Sequence, residues 1–114
     1  MTMENALQVL VLVRDLIFST KIKATAEAVG RSVRVLREPA MLAGQGGGML
    51  IVDLNLEGAI AAAAGWLGQG ERRRVVGFVS HVDGETIRAA REAGITEVLA
   101  RSRFVEVLPS LLRE

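Results

Sequence analysis

The sequence predicts a three-layer α/β sandwich, in which a parallel sheet is covered by helices on both faces. Three observations carry this. Short apolar runs alternate with helical patterns five times along 114 residues, as a (βα)₅ series requires. Half of the residues are hydrophobic, mostly alanine, valine and leucine, and only 4% are aromatic. That composition suits helices packed closely on a sheet better than a sandwich built on aromatic pairs. The run Met49-Leu50-Ile51-Val52, bounded by Gly48 and Asp53, is too short for a helix and reads as a strand buried on both faces. The length fits one domain over residues 1–114. Right-handed crossovers leave few topologies, and strand order 2-1-3-4-5 is the commonest.

The elements follow in order. Residues 6–13 are apolar and rich in β-branched side chains, and read as the first strand. Residues 16–29 place Ile22, Ala26 and Val29 at helical spacing, with Gly30 as a C-terminal stop. Residues 32–36 alternate Val33 and Val35 with polar residues, which suits a strand near the sheet edge. Residues 38–44 read as one or two helical turns, with Pro39 tolerated at the start. The loop Gly44-Gln45-Gly46-Gly47-Gly48 is the one flexible spot. It precedes a strand rather than opening a helix, the wrong context for cradling phosphate, so it reads as a loose connection.

After the strand that ends at Asp53, residues 57–67 form an alanine-rich helix, despite a cost of about 1 kcal/mol for Gly65 in its interior. Residues 74–79 are the fourth strand. Asp83 is an N-cap, with Glu85 in the first turn of a helix that ends near Gly94. Residues 95–100 make a fifth short strand. Residues 103–112 make the last helix, with Phe104, Val107, Leu108 and Leu111 on one face and Pro109 expected to kink or shorten it.

Composition excludes several function classes. A net charge of +1 provides no basic field to hold nucleic acid. With no cysteine there are no disulfides and no thiolate metal sites. No apolar run approaches the roughly 18–20 residues that span a bilayer. The N-terminus lacks the basic segment of a signal peptide. A cytoplasmic protein without membrane or nucleic-acid partners is the expectation.

In a parallel sheet, the residues that follow each strand gather on one rim, where open α/β folds place their sites. Arg14 and Asp15 follow the first strand, with Ser19, Thr20 and Lys21 close behind. Asp53 and Asn55 follow the third, and Ser80, His81 and Asp83 the fourth. Arg101, Ser102 and Arg103 follow the fifth.

Over nearly its whole length the chain resembles the receiver domains of bacterial response regulators, which have a flavodoxin-like fold. Leu50-Ile51-Val52-Asp53-Leu54 is similar to the phosphoacceptor strand of that family, with Asp53 at the acceptor position. Phe78-Val79-Ser80 is similar to the fourth strand, which ends in a serine or threonine that binds the phosphoryl group. The stretch from Ala89 through Gly94 to Leu99 is similar to the fourth helix and fifth strand.

The sequence also departs from the family. The acidic pair that binds Mg²⁺ after the first strand is here Arg14-Asp15. The lysine after the fifth strand is Arg101, and the proline after that is Ser102. The proline four residues beyond the acceptor is Glu57. Asp15 and Asp53 would supply two carboxylates to Mg²⁺, which wants several oxygen ligands. An inward-pointing Arg14 would repel the ion by about 1–4 kcal/mol.

The resemblance therefore implies a degenerate, pseudo-receiver-like module rather than an enzyme: Mg²⁺ weak or absent, aspartyl phosphorylation impaired, Ser80 and Arg101 at the phosphate-contact positions. It would act through a protein partner or a homodimer, using the fourth helix, fifth strand and fifth helix, a surface that includes Arg88, Arg91, Glu97, Val105 and Glu106.

The same residues admit other readings. Asp53 can be a phosphoacceptor, a carboxylate paired with arginine, or a strand-end cap for backbone amides. Arg14, Lys21, Arg101 and Arg103, with Asp15 and His81 beside them, would make an anion-binding rim if they converged next to helix N-termini. A metal site needs more nitrogen or sulfur ligands than one histidine, and Ser80 with His81 lacks a nucleophile elbow and a third orienting group. Arg72-Arg73-Arg74 lies on the opposite rim and reads as a solvated charge run. Trp66 reads as packing.

Overall fold

The computed structural model describes residues 8–81 and 83–114. Among these, five strands form one parallel sheet in the order β2-β1-β3-β4-β5, as the sequence predicts. The strands are β1 (Val9–Leu12), β2 (Val33–Leu36), β3 (Met49–Asp53), β4 (Arg74–Val79) and β5 (Glu97–Ala100). The helices are α1 (Leu16–Ala28), α2 (Ala59–Gly68), α3 (Gly84–Glu92) and α4 (Arg101–Arg113).

Strand side chains alternate between two cores, as a period of two dictates. Val9, Val11, Ile51, Val76 and Phe78 face α1 and α4, where Phe18, Ile22, Phe104 and Leu108 meet them. Leu10, Leu12, Leu50, Val52 and Val79 face the other way, against Ala59, Ala63 and Trp66 of α2 and Ala90 of α3. Every residue of β1 is buried, because it lies between β2 and β3 and is covered on both faces. Burial of each such valine or leucine contributes about 1.5–3 kcal/mol. The edge strand β2 has an exposed Arg34 instead.

Several expectations need correction. Between β2 and β3 there is a single 3₁₀ turn, Pro39–Leu42, where up to two helical turns were expected. Only Leu42 of this turn is buried, too small an apolar face to stabilise a longer helix. The last helix is neither delayed nor shortened. It begins at Arg101 and runs through Pro109 to Arg113. Phe104 and Leu108 before the proline, and Leu111 and Leu112 after it, are all buried, and this tertiary packing outweighs the missing backbone donor. β5 begins at Glu97, two residues later than expected, since Ile95 donates its N–H to Ala90 at the end of α3 rather than to a strand. Ala6 and Leu7, expected in β1, lie outside the described residues.

The opposite rim is also better tied than its composition suggests. The Arg73 guanidinium lies 4.5 Å from the Trp66 ring centre and donates to Trp66 O at 2.7 Å. The Gln45 carbonyl accepts from Trp66 Nε1 at 3.0 Å and from Arg73 at 3.3 Å, which pins the glycine-rich loop that was expected to be loose. Arg74 pairs with both oxygens of Glu97, at 2.7 and 2.6 Å, and with Glu114 at 2.5 Å. These hydrogen bonds raise the Arg74 pKa, and Arg74 in turn lowers that of Glu97. Two of the three consecutive arginines are therefore built into the fold, because each reaches a carbonyl, ring or carboxylate that the strand start brings within range. Trp66 packs as expected, at 2% exposure. No helix among the described residues is long and apolar enough to cross a membrane.

Candidate functional site

The carboxyl ends of β1, β3, β4 and β5 bring Asp15, Asp53, Ser80 and Arg101 to one rim. Asp15 follows β1 and caps α1: its Oδ1 accepts from Phe18 N at 3.1 Å. That hydrogen bond is the main reason its carboxyl is held below the ordinary range, and Arg101 adds to it. Asp53 ends β3, half-buried, and its Oδ1 accepts from Asn55 N at 3.0 Å.

Burial pushes the Asp53 carboxyl up, the nearby Asp15 charge adds to this, and the Asn55 N–H and Arg101 oppose it. Ionising Asp53 therefore costs more in the folded than in the unfolded chain. Its contribution to stability is present at low pH and is lost as pH rises through the raised pKa.

Arg101 connects the rim. It is the first residue of α4, directly after β5. Its guanidinium carbon lies 3.8 Å from the centre of the Phe18 ring, one nitrogen lies 3.5 Å from Asp15 Oδ2, and another donates to Ser80 Oγ at 3.3 Å. The Phe18 ring is held in place by Phe78 at 5.1 Å and Phe104 at 6.0 Å. An aromatic shelf thus sets the height of the cation, and the face of the ring attracts it.

Asn55 joins two loops. Its Oδ1 accepts from Ser80 N at 2.7 Å and from His81 N at 3.0 Å, and its Nδ2 donates to His81 O at 3.3 Å. The loop after β3 therefore fixes the loop after β4 and the position of Ser80. His81 takes part through its backbone, and its side chain is exposed. Asp83 caps α3 through Glu85 N at 3.0 Å and holds Thr86 Oγ1 at 2.9 Å, and the Thr86 bond leads the lowering of its pKa.

The anion-binding rim that the sequence suggested does not assemble from its four cations. Arg14 points away from Asp53 and pairs with Glu38 at 2.7 Å. It also donates to Arg37 O at 3.4 Å, and its own carbonyl accepts from Arg37 at 2.9 Å. The neighbouring β2 loop offers Arg14 a carboxylate of its own, whereas on the rim Asp15 is already paired with Arg101. The repulsion that an inward Arg14 would exert on a metal ion is therefore absent. Arg103 pairs with Glu106 one turn along α4, at 3.0 Å. Lys21 is exposed on α1. Asp15 and Asp53 remain as two carboxylates, and among the described residues no group of three or more histidine, aspartate or glutamate side chains could hold a metal ion.

The parallel order 2-1-3-4-5, with helices on both faces of the sheet, is that of the CheY-like, flavodoxin-like fold. A receiver domain protein from Methanospirillum hungatei superposes with TM-score 0.77 at 12% identity, over 94% of each chain. A response regulator from Burkholderia pseudomallei, bearing a phosphorylated aspartic acid, calcium and citrate, superposes with TM-score 0.76 at 19% identity, over 92% of this chain and 65% of that one. A response regulator from Thermotoga maritima has TM-score 0.69 at 16% identity, over 92% of this chain and 98% of that one. At these identities the likeness shows the fold. No family model matches the sequence, and no curated protein does.

Sequence reasoning brought Asp15, Asp53, Ser80 and Arg101 to one rim. It missed the bracing by Asn55 and the seat that Phe18 makes for Arg101. Asn55 stands two residues after Asp53 and could have been singled out as a loop brace. The contact of Phe18 with Arg101 spans 83 residues and has no local signal.

Proposed function

We propose that this chain is a receiver-like signalling module whose rim is held by Arg101 instead of by a metal ion, and which acts through protein contacts with little or no aspartyl phosphorylation. The observation that carries this reading is the placement of Arg101 on Asp15 and Ser80. Mg²⁺ needs near-octahedral oxygen coordination. Of the four oxygens of Asp15 and Asp53, one caps α1, one pairs with Arg101 and one accepts from Asn55. A fixed guanidinium beside the same carboxylates opposes a second cation and already compensates their charge. Ser80 Oγ, at the position that contacts the phosphoryl group in the family it resembles, is held by the same arginine.

The donor set therefore fits Mg²⁺ poorly, and the reading carries no catalytic step. A cytoplasmic setting goes with it by resemblance. The partner surface that the resemblance suggests comprises α3, β5 and α4. On it Arg88 and Arg91 are exposed and Val105 is half-buried, while Glu97 and Glu106 are engaged with Arg74 and Arg103.

A Mg²⁺ titration followed by amide NMR at Asn55 and Ser80 tests this reading. The wild type is expected to show no saturable shift up to about 10 mM Mg²⁺, and Arg101→Ala, which frees Oδ2 of Asp15, is expected to gain one. Saturable binding by the wild type below about 1 mM would refute the reading.

A further inference from the structure

Strand β2 leaves the sheet open at one edge. Among the described residues it pairs with β1 alone, in register from Val9 with Val33 to Leu12 with Leu36. Leu36 O accepts from Val13 N at 3.1 Å, so Leu36, and with it Arg34, turns its backbone groups toward β1. Successive residues of a strand direct their N–H and C=O to opposite sides, so those of Val33 and Val35 face outward. No described residue bonds to these outward groups. The Val33 and Val35 side chains are only half-buried against the core under α1, which leaves apolar surface beside the open backbone.

The edge is also cationic. Residues 31–37 include three arginines and no carboxylate. Arg34 is exposed, on the sheet face opposite to Val33 and Val35. At the start of the strand, Lys23, Glu27 and Arg31 line a hollow of about 150 Å³ with Ser32 and Val33. Glu38, just beyond the strand, is engaged with Arg14. Among the described residues no carboxylate pairs with Arg34 or Lys23.

An unpaired strand edge is a template for pairing, and charge on it governs which strands are kept away. A second copy of this edge would bring Arg34 of both chains together, and like charges facing across a strand pair are unfavourable. An acidic strand meets the opposite situation. We propose that the open edge of β2 docks an acidic extended segment of a partner protein, which adds a strand to the sheet. Main-chain hydrogen bonds to Val33 and Val35 hold the segment. Carboxylates beside Arg34, alternating with β-branched residues beside Val33 and Val35, select it. This edge lies across the sheet from β5, so its use depends neither on the state of the Asp53 rim nor on the surface of α3, β5 and α4.

The test uses the full chain and a labelled peptide of about eight residues that alternates glutamate with valine, with a counterpart carrying lysine for glutamate. Fluorescence anisotropy at low salt reads affinity, and amide hydrogen exchange reads where the peptide sits. The wild type is expected to bind the acidic peptide about tenfold or more tighter than the basic one. Binding should slow exchange at the N–H groups of Val33 and Val35 and leave that of Arg34, already turned to β1, unchanged. Arg34→Glu, at an exposed position, is expected to bind the acidic peptide about tenfold more weakly and to gain affinity for the basic one. A wild type that does not bind the acidic peptide, protection that misses Val33 and Val35, or an Arg34→Glu variant with the wild-type preference would overturn the proposal.

Discussion

Replacing Phe78 by alanine is expected to destabilise the fold by about 3–5 kcal/mol, well above the roughly 1 kcal/mol of a typical single substitution. Phe78 is fully buried in β4 and stacks on Phe104 at 4.9 Å, with Phe18 edge-on at 5.1 Å. Truncation removes the middle of a three-ring cluster and leaves a cavity between the sheet and both α1 and α4. A domain of this kind has about 5–15 kcal/mol in total, so the variant should lie close to its unfolding threshold at 37 °C. Urea denaturation measures this directly. A loss below about 1 kcal/mol would mean that the ring cluster is not packed as described. The substitution should also reach the rim, because the Phe18 ring that carries Arg101 rests on Phe78.

The second large effect is expected from Gly77→Ala, a small addition in a closed space. Gly77 lies in β4 beside Val52 of β3, on the face covered by α2 and α3. A Cβ at this position would stand 2.6 Å from one methyl of Leu54 and 2.7 Å from its branch carbon. Leu54 is only 3% exposed and has little room to retreat, and its N–H is bonded to Phe78 O at 2.9 Å. Overpacking of this kind costs about 1–3 kcal/mol. Leu54 adjoins Asp53, so the strain should also move the amide resonances of Asp53 and Asn55. A thermal unfolding curve that overlays the wild type would contradict this packing.

The fold was legible because its signals are local. Four-residue apolar runs mark buried parallel strands, and Asp83 before Gly84-Glu85 marks a helix start. These patterns set the succession of elements, and the commonest topology for such a series supplied the strand order that the structure has. Legibility ended where a side chain's partner lies far away in sequence. Arg14 was read as a rim cation because it follows β1, but Glu38 lies 24 residues on, and only the pairing of β1 with β2 brings the two together. Arg73 and Arg74 read as solvated because three arginines in a row resemble a charge run. The ring of Trp66 and the carboxylates of Glu97 and Glu114 reach them only after the sheet has formed. Pro109 was misjudged for the same reason, since a local rule about proline gave way to four buried neighbours. The rim was half legible: strand ends predict which residues meet there, and nothing local says that Arg101 would turn onto Phe18 and Asp15.

The central claim, that Arg101 holds the rim in place of a metal ion and leaves Asp53 unphosphorylated, is tested most directly by intact-mass spectrometry after incubation with acetyl phosphate and Mg²⁺. Wild type and Asp53→Asn should be compared under identical conditions. No phosphoryl adduct is expected on either protein. A single phosphoryl adduct on the wild type that is missing from Asp53→Asn would contradict the claim and make this chain a working phosphoacceptor.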